Sequence, residues 1–150
     1  MKKILGLILG MLFLTQPLFA VESPDGRVID LLSANGVTSI AVPGTSGSTF
    51  SNSFPMANDT PYILAIQATA TSKFTVTLEN GFSRPTTENT TDTSNYVTDS
   101  TTSIFTISDT GLHIFSFTPT LSPFGRFKFT GITGNSLSNT VSVLKLYIPE

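Results

Sequence analysis

The stretch that decides the fold reads SIFTISDTGLHIFSFTP over Ser103–Pro119 and continues, after a short loop, as GRFKFTG over Gly125–Gly131. It contains three short runs of β-branched and aromatic residues, and Asp109, Thr110 and Gly111 separate the first two. Runs of this composition bounded by turn residues predict a strand, a tight turn, a second strand, a loop and a third strand. The chain is therefore expected to form antiparallel sheets.

Alternation in the third run indicates which side chains face the core. Phe127 and Phe129 alternate with Arg126 and Lys128, and successive strand residues point to opposite faces of a sheet. One face of this strand should be apolar and buried, and the other should lie in water. The same alternation along the chain predicts a core that includes Phe74, Val76, Phe115, Phe117, Phe127 and Phe129, and an exposed set of Lys73, Arg126 and Lys128.

Similar runs occur elsewhere in the chain. Strands are predicted over residues 37–42, 48–54, 62–71, 73–78 and 140–148. Thr71-Ser72 is predicted to close a tight hairpin, and the two fairly apolar faces of 62–71 favour a central strand. For residues 21–36 we favour a strand or irregular structure, with a helix as the alternative because Val28, Leu31 and Leu32 have helical spacing.

These elements predict an all-β chain, arranged as an antiparallel β-sandwich or jelly-roll-like fold of about eight or nine strands. The spacing of the turns is that of a sandwich, and no repeat period is visible. We expect residues 21–150 to form a single β-sandwich domain.

The first twenty residues have the composition of a signal peptide. Lys2 and Lys3 form a positive start, residues 4–14 are apolar, and Ala20 is a small residue at the expected cleavage point. The apolar run is short for a membrane span. We expect residues 1–20 to form a signal-peptide helix and residues 21–150 to be extracytoplasmic: secreted, cell-surface or periplasmic in a bacterium. The alternatives are an uncleaved anchor and an ordinary buried helix.

Charge and cysteine content exclude several classes of function. Removal of Lys2 and Lys3 leaves six basic and ten acidic residues, a net charge of about −4. A nucleic-acid partner requires a basic face, and an anionic membrane attracts a polybasic patch, so we expect neither partner and no membrane span after signal cleavage. The absence of cysteine excludes disulfides and thiol chemistry. Stability must then come from a hydrophobic core, in which phenylalanine, present 12 times in the sequence, should dominate.

Catalytic side chains are scarce, so we do not expect an enzyme or a bound cofactor. His113 is the one histidine, and it lies in an apolar strand, where a structural role with one hydrogen-bond partner is the expectation. One histidine and no cysteine cannot build an ordinary zinc site. No serine lies in a Gly-x-Ser-x-Gly elbow, and turn chemistry accounts for Asp59 and Asp109. No catalytic residue is assigned.

Residues 84–102 are rich in Thr, Ser, Asn and Asp and are predicted to form a long surface loop, with a short strand over 95–98. Glu88, Asp92 and Asp99 place hard oxygen ligands in this loop and are candidate Ca²⁺ ligands. Tyr96 is the loop's aromatic residue and the candidate ligand contact. The alternatives are a solvated polar loop and a tyrosine that pins the loop to the body of the domain.

Residues Gly111–Phe117 resemble the Gly-x-Tyr-x-Phe-x-Val strand of secreted bacterial β-sandwich modules such as pre-peptidase C-terminal domains, with His113 at the tyrosine position. The resemblance covers seven residues and implies only a sandwich strand. We expect a non-enzymatic exported binding or structural module, whose partner is a protein, a glycan or the protein itself. The alternatives are a small secreted hydrolase and a calcium-dependent carbohydrate-binding module.

Overall fold

The computed structural model describes residues 26–32, 37–44, 47–57, 59–70, 72–82, 95–98, 105–119, 122–132 and 139–149. Over these residues the chain forms β-strands, which belong to two antiparallel sheets. The described part contains no helix long and apolar enough to cross a membrane. The predicted signal peptide, residues 1–20, lies outside the described residues.

The strands follow one another in the order β1 (Gly26–Asp30), β2 (Ile40–Val42), β3 (Ser48–Phe50), β4 (Phe54–Pro55), β5 (Tyr62–Thr69), β6 (Phe74–Gly81), β7 (Tyr96–Thr98), β8 (Phe105–Ile107), β9 (Gly111–Phe117), β10 (Phe124–Gly131) and β11 (Asn139–Pro149). Sheet A has the order β1-β11-β5-β9, and β2 also pairs with β11. Sheet B has the order β3-β10-β6-β7, while β4 also pairs with β10 and β8 with β6.

Short strands share the outer positions of both sheets. β1 and β2 pair with opposite ends of β11, β3 and β4 with opposite ends of β10, and β7 and β8 with opposite ends of β6. The described strands therefore fill four positions in each sheet. Because the chain passes repeatedly from one sheet to the other, the arrangement is an antiparallel jelly roll. This confirms the predicted fold class.

Two predicted hairpins are wrong. The connection that contains Ser72 leads from β5 in sheet A to β6 in sheet B, and the turn at 109–111 leads from β8 in sheet B to β9 in sheet A. In both cases the strands on either side of the connection pair with other partners. Packed sheets are about 10 Å apart, so a few turn residues span the gap as readily as they close a hairpin.

The core lies between the two sheets and is dominated by aromatic rings. The ring of Phe127 from sheet B stacks on Phe54 at 5.3 Å and meets the edge of Phe117 from sheet A at 5.6 Å. Phe117 stacks in turn on Tyr62 at 5.5 Å. Since this row of rings crosses from one sheet to the other, it joins the two layers directly.

Most of the predicted core is confirmed. The side chains of Phe74, Val76, Phe117, Phe127 and Phe129 are buried. Phe115, nearer the rim, is half-buried and stacks on Phe105 with ring centroids 4.2 Å apart. Lys73 is exposed as predicted, and Lys128 is partly exposed. Arg126 is the exception, because it is buried.

Two other sequence-based expectations hold. β5 lies between β11 and β9, which confirms the predicted central strand. The range 26–30 forms an edge strand on β11, so the helical alternative for this segment is wrong. Leu31 and Leu32, which follow β1, turn into the core, and the Leu31 amide donates a hydrogen bond to the Leu144 carbonyl.

Candidate functional site

The outer side of sheet A, which faces away from the core, carries exposed apolar side chains. The strand register aligns Val28, Tyr147 and Ile63 in one row across β1, β11 and β5. In the neighbouring rows, Ile114 lies opposite Ala65, and Leu112 lies opposite Gln67. We call this surface, formed by Val28, Ile63, Ala65, Leu112, Ile114 and Tyr147, the apolar face of sheet A.

Exposure is greatest at the β9 side of the apolar face. Ile114 is 65% exposed and Leu112 is 60% exposed, and Val28 and Ile63 are also exposed. Single exposed apolar residues are common on protein surfaces, whereas a contiguous apolar patch marks an interaction surface. The register places these side chains next to one another on one side of one sheet, so they form an apolar patch, bordered by the exposed Lys145 beside Ala65 and by Gln67 beside Leu112.

Within the described residues, β9 is a sheet edge with one pairing partner, β5. It is seven residues long, pairs in regular register, and contains neither Lys, Arg, Asp, Glu nor Pro. Natural proteins protect edge strands with charges, prolines, bulges or short length, and β9 has none of these devices. No other described strand pairs with the backbone N–H and C=O groups on its outer edge.

The other described edge strands are protected. β2, β3, β7 and β8 have three residues each and β4 has two, one of which is Pro55. β1 has five residues and carries the charges of Arg27 and Asp30. Among the described edges, β9 thus combines the greatest length with the least protection, and it borders the apolar face of sheet A.

His113 lies on β9 with its side chain on the inner side of sheet A. Its Nε2–H donates a hydrogen bond to the Asp109 carbonyl at 3.2 Å, and its ring stacks on Phe115 with centroids 6.3 Å apart. The imidazole therefore has the single described hydrogen-bond partner that the sequence predicted. This bond ties the start of β9 to the turn that precedes it.

The outer side of sheet B carries a buried ion pair. Glu79 on β6 lies directly opposite Arg126 on β10. Nε of Arg126 donates a hydrogen bond to Oε2 of Glu79 at 2.9 Å, and Nη2 forms an ion pair with the same oxygen at 2.8 Å. Lys128 adds a second positive charge 3.6 Å from Oε1. Because charged side chains are rarely buried unless they are paired, this pairing is what permits the burial of Arg126.

Two aromatic rings cover the Arg126 guanidinium. Its central carbon lies 4.0 Å from the ring centroid of Phe50 and 3.9 Å from that of Tyr96, so the cation is held between two rings. Arg126 is only 2% exposed. The predicted exposure of Arg126 is therefore wrong. The predicted face is right, since Arg126 points away from the core, but the rings and Glu79 cover that face at this point.

A glycine on the neighbouring strand leaves the space that the ring of Tyr96 occupies. Tyr96 lies opposite Gly81 in the β6–β7 pairing, and any side chain at position 81 would collide with its ring. β7 confirms the short strand predicted within residues 95–98. With its ring on Arg126, Tyr96 is buried and holds β7 to sheet B, the arrangement of a residue that pins its segment to the domain.

The candidate calcium ligands Glu88, Asp92 and Asp99 lie outside the described residues. In the part of the chain that the structure describes, no group of three or more His, Cys, Asp or Glu side chains is positioned to hold a metal ion. Asp59 and Asp109 both occur in turns, and Asp59 has a positive φ of 58°, as expected for a turn aspartate.

Sequence reasoning missed Leu112 and Ile114 as functional candidates. The alternation of β9 assigned His113, Phe115 and Phe117 to one face, and it left Leu112 and Ile114 on the other without a role. The available signal was that both faces of a seven-residue strand are apolar and uncharged. That pattern is typical of a strand buried on both faces, and only the order of the strands shows that β9 is an edge.

Comparison with known proteins gives distant structural likenesses. No family model matches the sequence, and no curated protein sequence matches it. The CBM36-1 domain of a multidomain xylanase from the hindgut metagenome of Trinervitermes trinervoides is 10% identical, with a TM-score of 0.48 over 84% of this chain and 98% of that domain. A family 16 carbohydrate-binding module-2 is 12% identical, with a TM-score of 0.39 over 83% of this chain and 86% of that one.

Proposed function

We propose that this protein is an exported, non-enzymatic β-sandwich module that binds a partner through the edge of β9 and the adjoining apolar face of sheet A. The observation that carries the proposal is the unprotected seven-residue edge strand with two highly exposed apolar side chains, Leu112 and Ile114. An exposed edge binds an extended segment through main-chain hydrogen bonds, while neighbouring side chains supply the apolar contacts.

The opposite side of the sandwich supports the same choice of surface. On sheet B the outer cation, Arg126, is neutralised by Glu79 and enclosed by Phe50 and Tyr96. A charged group that is already paired and covered has little to offer an incoming ligand. The apolar side chains of sheet A, in contrast, are exposed to water. A partner that covers them removes apolar surface from water, and this removal favours binding.

A protein strand is the partner class that β9 favours, because a strand satisfies the backbone groups of the edge. A glycan is the second candidate, favoured by Tyr147. Its half-buried ring lies on the apolar face, against Gly26 and in register with Ile63, and its polar tip and apolar body suit the stacking of a sugar ring.

Site-specific photocrosslinking in intact producing cells tests this proposal. A benzoylphenylalanine placed at position 114 should yield crosslinked adducts, and the same group at position 97 should not. Val97 is the matched control, because it is 62% exposed, close to the 65% of Ile114, but lies on the three-residue strand β7. Absence of adducts at position 114 would contradict the proposed binding surface.

The glycan alternative has its own measurement. Depletion of the purified protein by insoluble xylan, cellulose or chitin, lost in Tyr147→Ala, would assign the apolar face to a glycan instead of a protein strand. Export is tested by N-terminal sequencing of the protein recovered from outside the cytoplasm. The chain should begin at or near Val21, and recovery of the intact chain from the cytoplasm alone would contradict export.

A further inference from the structure

We propose that the partner of β9 is a second copy of this chain. The two β9 strands pair antiparallel about a two-fold axis at Ile114, which joins the two A sheets into one continuous sheet. This inference rests on the proposed function, because it uses the same edge and face, and it names the partner that the proposed function leaves open.

The charge pattern of β9 suits pairing with itself. In a two-fold contact each side chain meets its own copy or a near neighbour, so any charged residue near the axis would face a like charge. β9 has no Lys, Arg, Asp or Glu over Gly111–Phe117. Among the described edge strands, β1 is the other one longer than three residues, and it carries charges at Arg27 and Asp30. Like-charge repulsion therefore does not oppose the pairing of two β9 strands.

The length of β9 decides the register. Its seven residues overlap completely in an antiparallel pair only when the axis passes through the central residue, Ile114. Ile114 then lies opposite its own copy, Leu112 lies opposite Ser116 of the second molecule, and His113 lies opposite Phe115. A shift of the axis by one residue in either direction shortens the paired region and leaves backbone groups of the strand ends unpaired.

Both sides of the joined sheet gain contacts in this register. Directly opposite residues point to the same face, so Leu112 and Ile114 of both copies meet on the outer side, and the two apolar faces merge. On the inner side, Phe115 already stacks between Phe105 and His113, at 4.2 and 6.3 Å. The second molecule places its own His113 opposite Phe115, which extends this stack across the axis.

The absence of cysteine in the chain allows a clean crosslinking test. The full-length protein is purified with Ile114→Cys, Leu112→Cys or Ser116→Cys as its one thiol. Opposite residues of an antiparallel pair have Cα atoms about 4.5–5.5 Å apart, within the range of about 4.4–6.8 Å that a disulfide requires. Ile114→Cys should therefore form disulfide-linked dimers under mild oxidation.

Leu112→Cys is the matched control. It lies on the same strand and face and is 60% exposed. In the proposed register its own copy is four residues away, about 13 Å along the strand, which is too far for a disulfide. A mixture of Leu112→Cys and Ser116→Cys should crosslink between the two variants. We expect at least about tenfold more dimer from Ile114→Cys than from Leu112→Cys alone, the difference between a thiol within disulfide range and one outside it.

Equal crosslinking of the Ile114→Cys and Leu112→Cys variants would overturn the proposed register, and so would crosslinking of Leu112→Cys alone. Sedimentation equilibrium tests association without a thiol. The cysteine-free protein should dimerise as its concentration rises, and Ile114→Lys should stay monomeric because it places like charges at the axis. Circular dichroism of Ile114→Lys establishes that the variant is folded.

The two proposals fail in distinguishable ways. A purified protein that stays monomeric at all concentrations, together with photocrosslinks from position 114 to a different protein in cells, overturns self-pairing and supports the proposed function. Absence of both self-association and crosslinks at position 114 overturns both. Crosslinked adducts of twice the mass of the chain in cells, together with the Ile114→Cys dimer in vitro, support both.

Discussion

Gly81 and Tyr96 lie opposite each other on β6 and β7, and a Cβ atom at position 81 would stand 2.6 Å from Cε1 of the Tyr96 ring. The missing side chain leaves room for the ring, whose centroid lies 3.9 Å from the central guanidinium carbon of Arg126. A glycine in a strand often marks such a close approach. One residue without a side chain thus permits both the burial of Tyr96 and the covering of a buried cation.

Gly81→Ala should destabilise the protein by about 1–3 kcal/mol, because the new methyl group overpacks against the Tyr96 ring. In a Tyr96→Ala background the same change should have a much smaller effect, and the double-mutant cycle in urea denaturation measures this coupling. Gly111→Ala is the control, because nothing lies within 4 Å of the Cβ position at residue 111. Any loss of stability in this variant comes from the φ of +157°, a conformation that residues with a side chain rarely adopt. Its effect should be independent of Tyr96.

Glu79→Gln should reduce the free energy of unfolding by about 3–5 kcal/mol, because it leaves the buried charge of Arg126 without its counter-charge. Replacing both partners, as Glu79→Leu with Arg126→Met, should be less destabilising than Glu79→Gln, since no buried charge remains. Lys128→Gln, at a partly exposed side chain 3.6 Å from Glu79, should change stability by less than about 1 kcal/mol. A double variant less stable than Glu79→Gln would contradict this account of the ion pair.

Phe127→Ala should reduce the free energy of unfolding by about 3–5 kcal/mol, because it opens a cavity where rings from both sheets meet. Phe127 contacts Phe54 on one side and Phe117 on the other. Phe82→Ala, at a side chain that is 71% exposed, should change stability by less than about 0.5 kcal/mol. Chemical denaturation of the two variants checks the difference, and a loss below about 1 kcal/mol for Phe127→Ala would be inconsistent with its position in the core.

Asn139→Leu should destabilise the connection between β5 and β6. The buried Asn139 accepts a hydrogen bond from the Ser72 amide at 2.9 Å and donates one to the Ser72 hydroxyl at 3.1 Å. Loss of the Asn139 side chain leaves the Ser72 amide without this hydrogen-bond acceptor, which should reduce the free energy of unfolding by about 1–3 kcal/mol. Hydrogen exchange of the Ser72 amide should accelerate in Asn139→Leu and stay unchanged in Ser142→Ala, a variant at an exposed residue of the same strand. Unchanged exchange of Ser72 in Asn139→Leu would show that Asn139 does not hold this turn.

The alternation of residues along single strands was readable from the sequence. Phe127 and Phe129 face the core, and Arg126 and Lys128 point away from it, as the period of two requires. The strand positions and the all-β class follow from the same local signals. For the candidate site, the sequence also placed Leu112 and Ile114 on the face of β9 opposite to His113 and Phe115, because that assignment depends only on neighbouring residues.

Pairing and covering were decided by the tertiary structure alone. The residues Thr71-Ser72 predict a hairpin, but the connection leads from β5 in sheet A to β6 in sheet B, and Asn139 at the start of β11 binds the Ser72 amide. Arg126 reads as exposed, but Phe50 and Tyr96, distant in the chain, cover it. Leu112 and Ile114 are exposed because they lie on the outer side of sheet A, as the exposed Ile63 on the central strand β5 does. Strand order and the covering of a face depend on contacts between distant residues, and the local pattern of a strand carries no information about them.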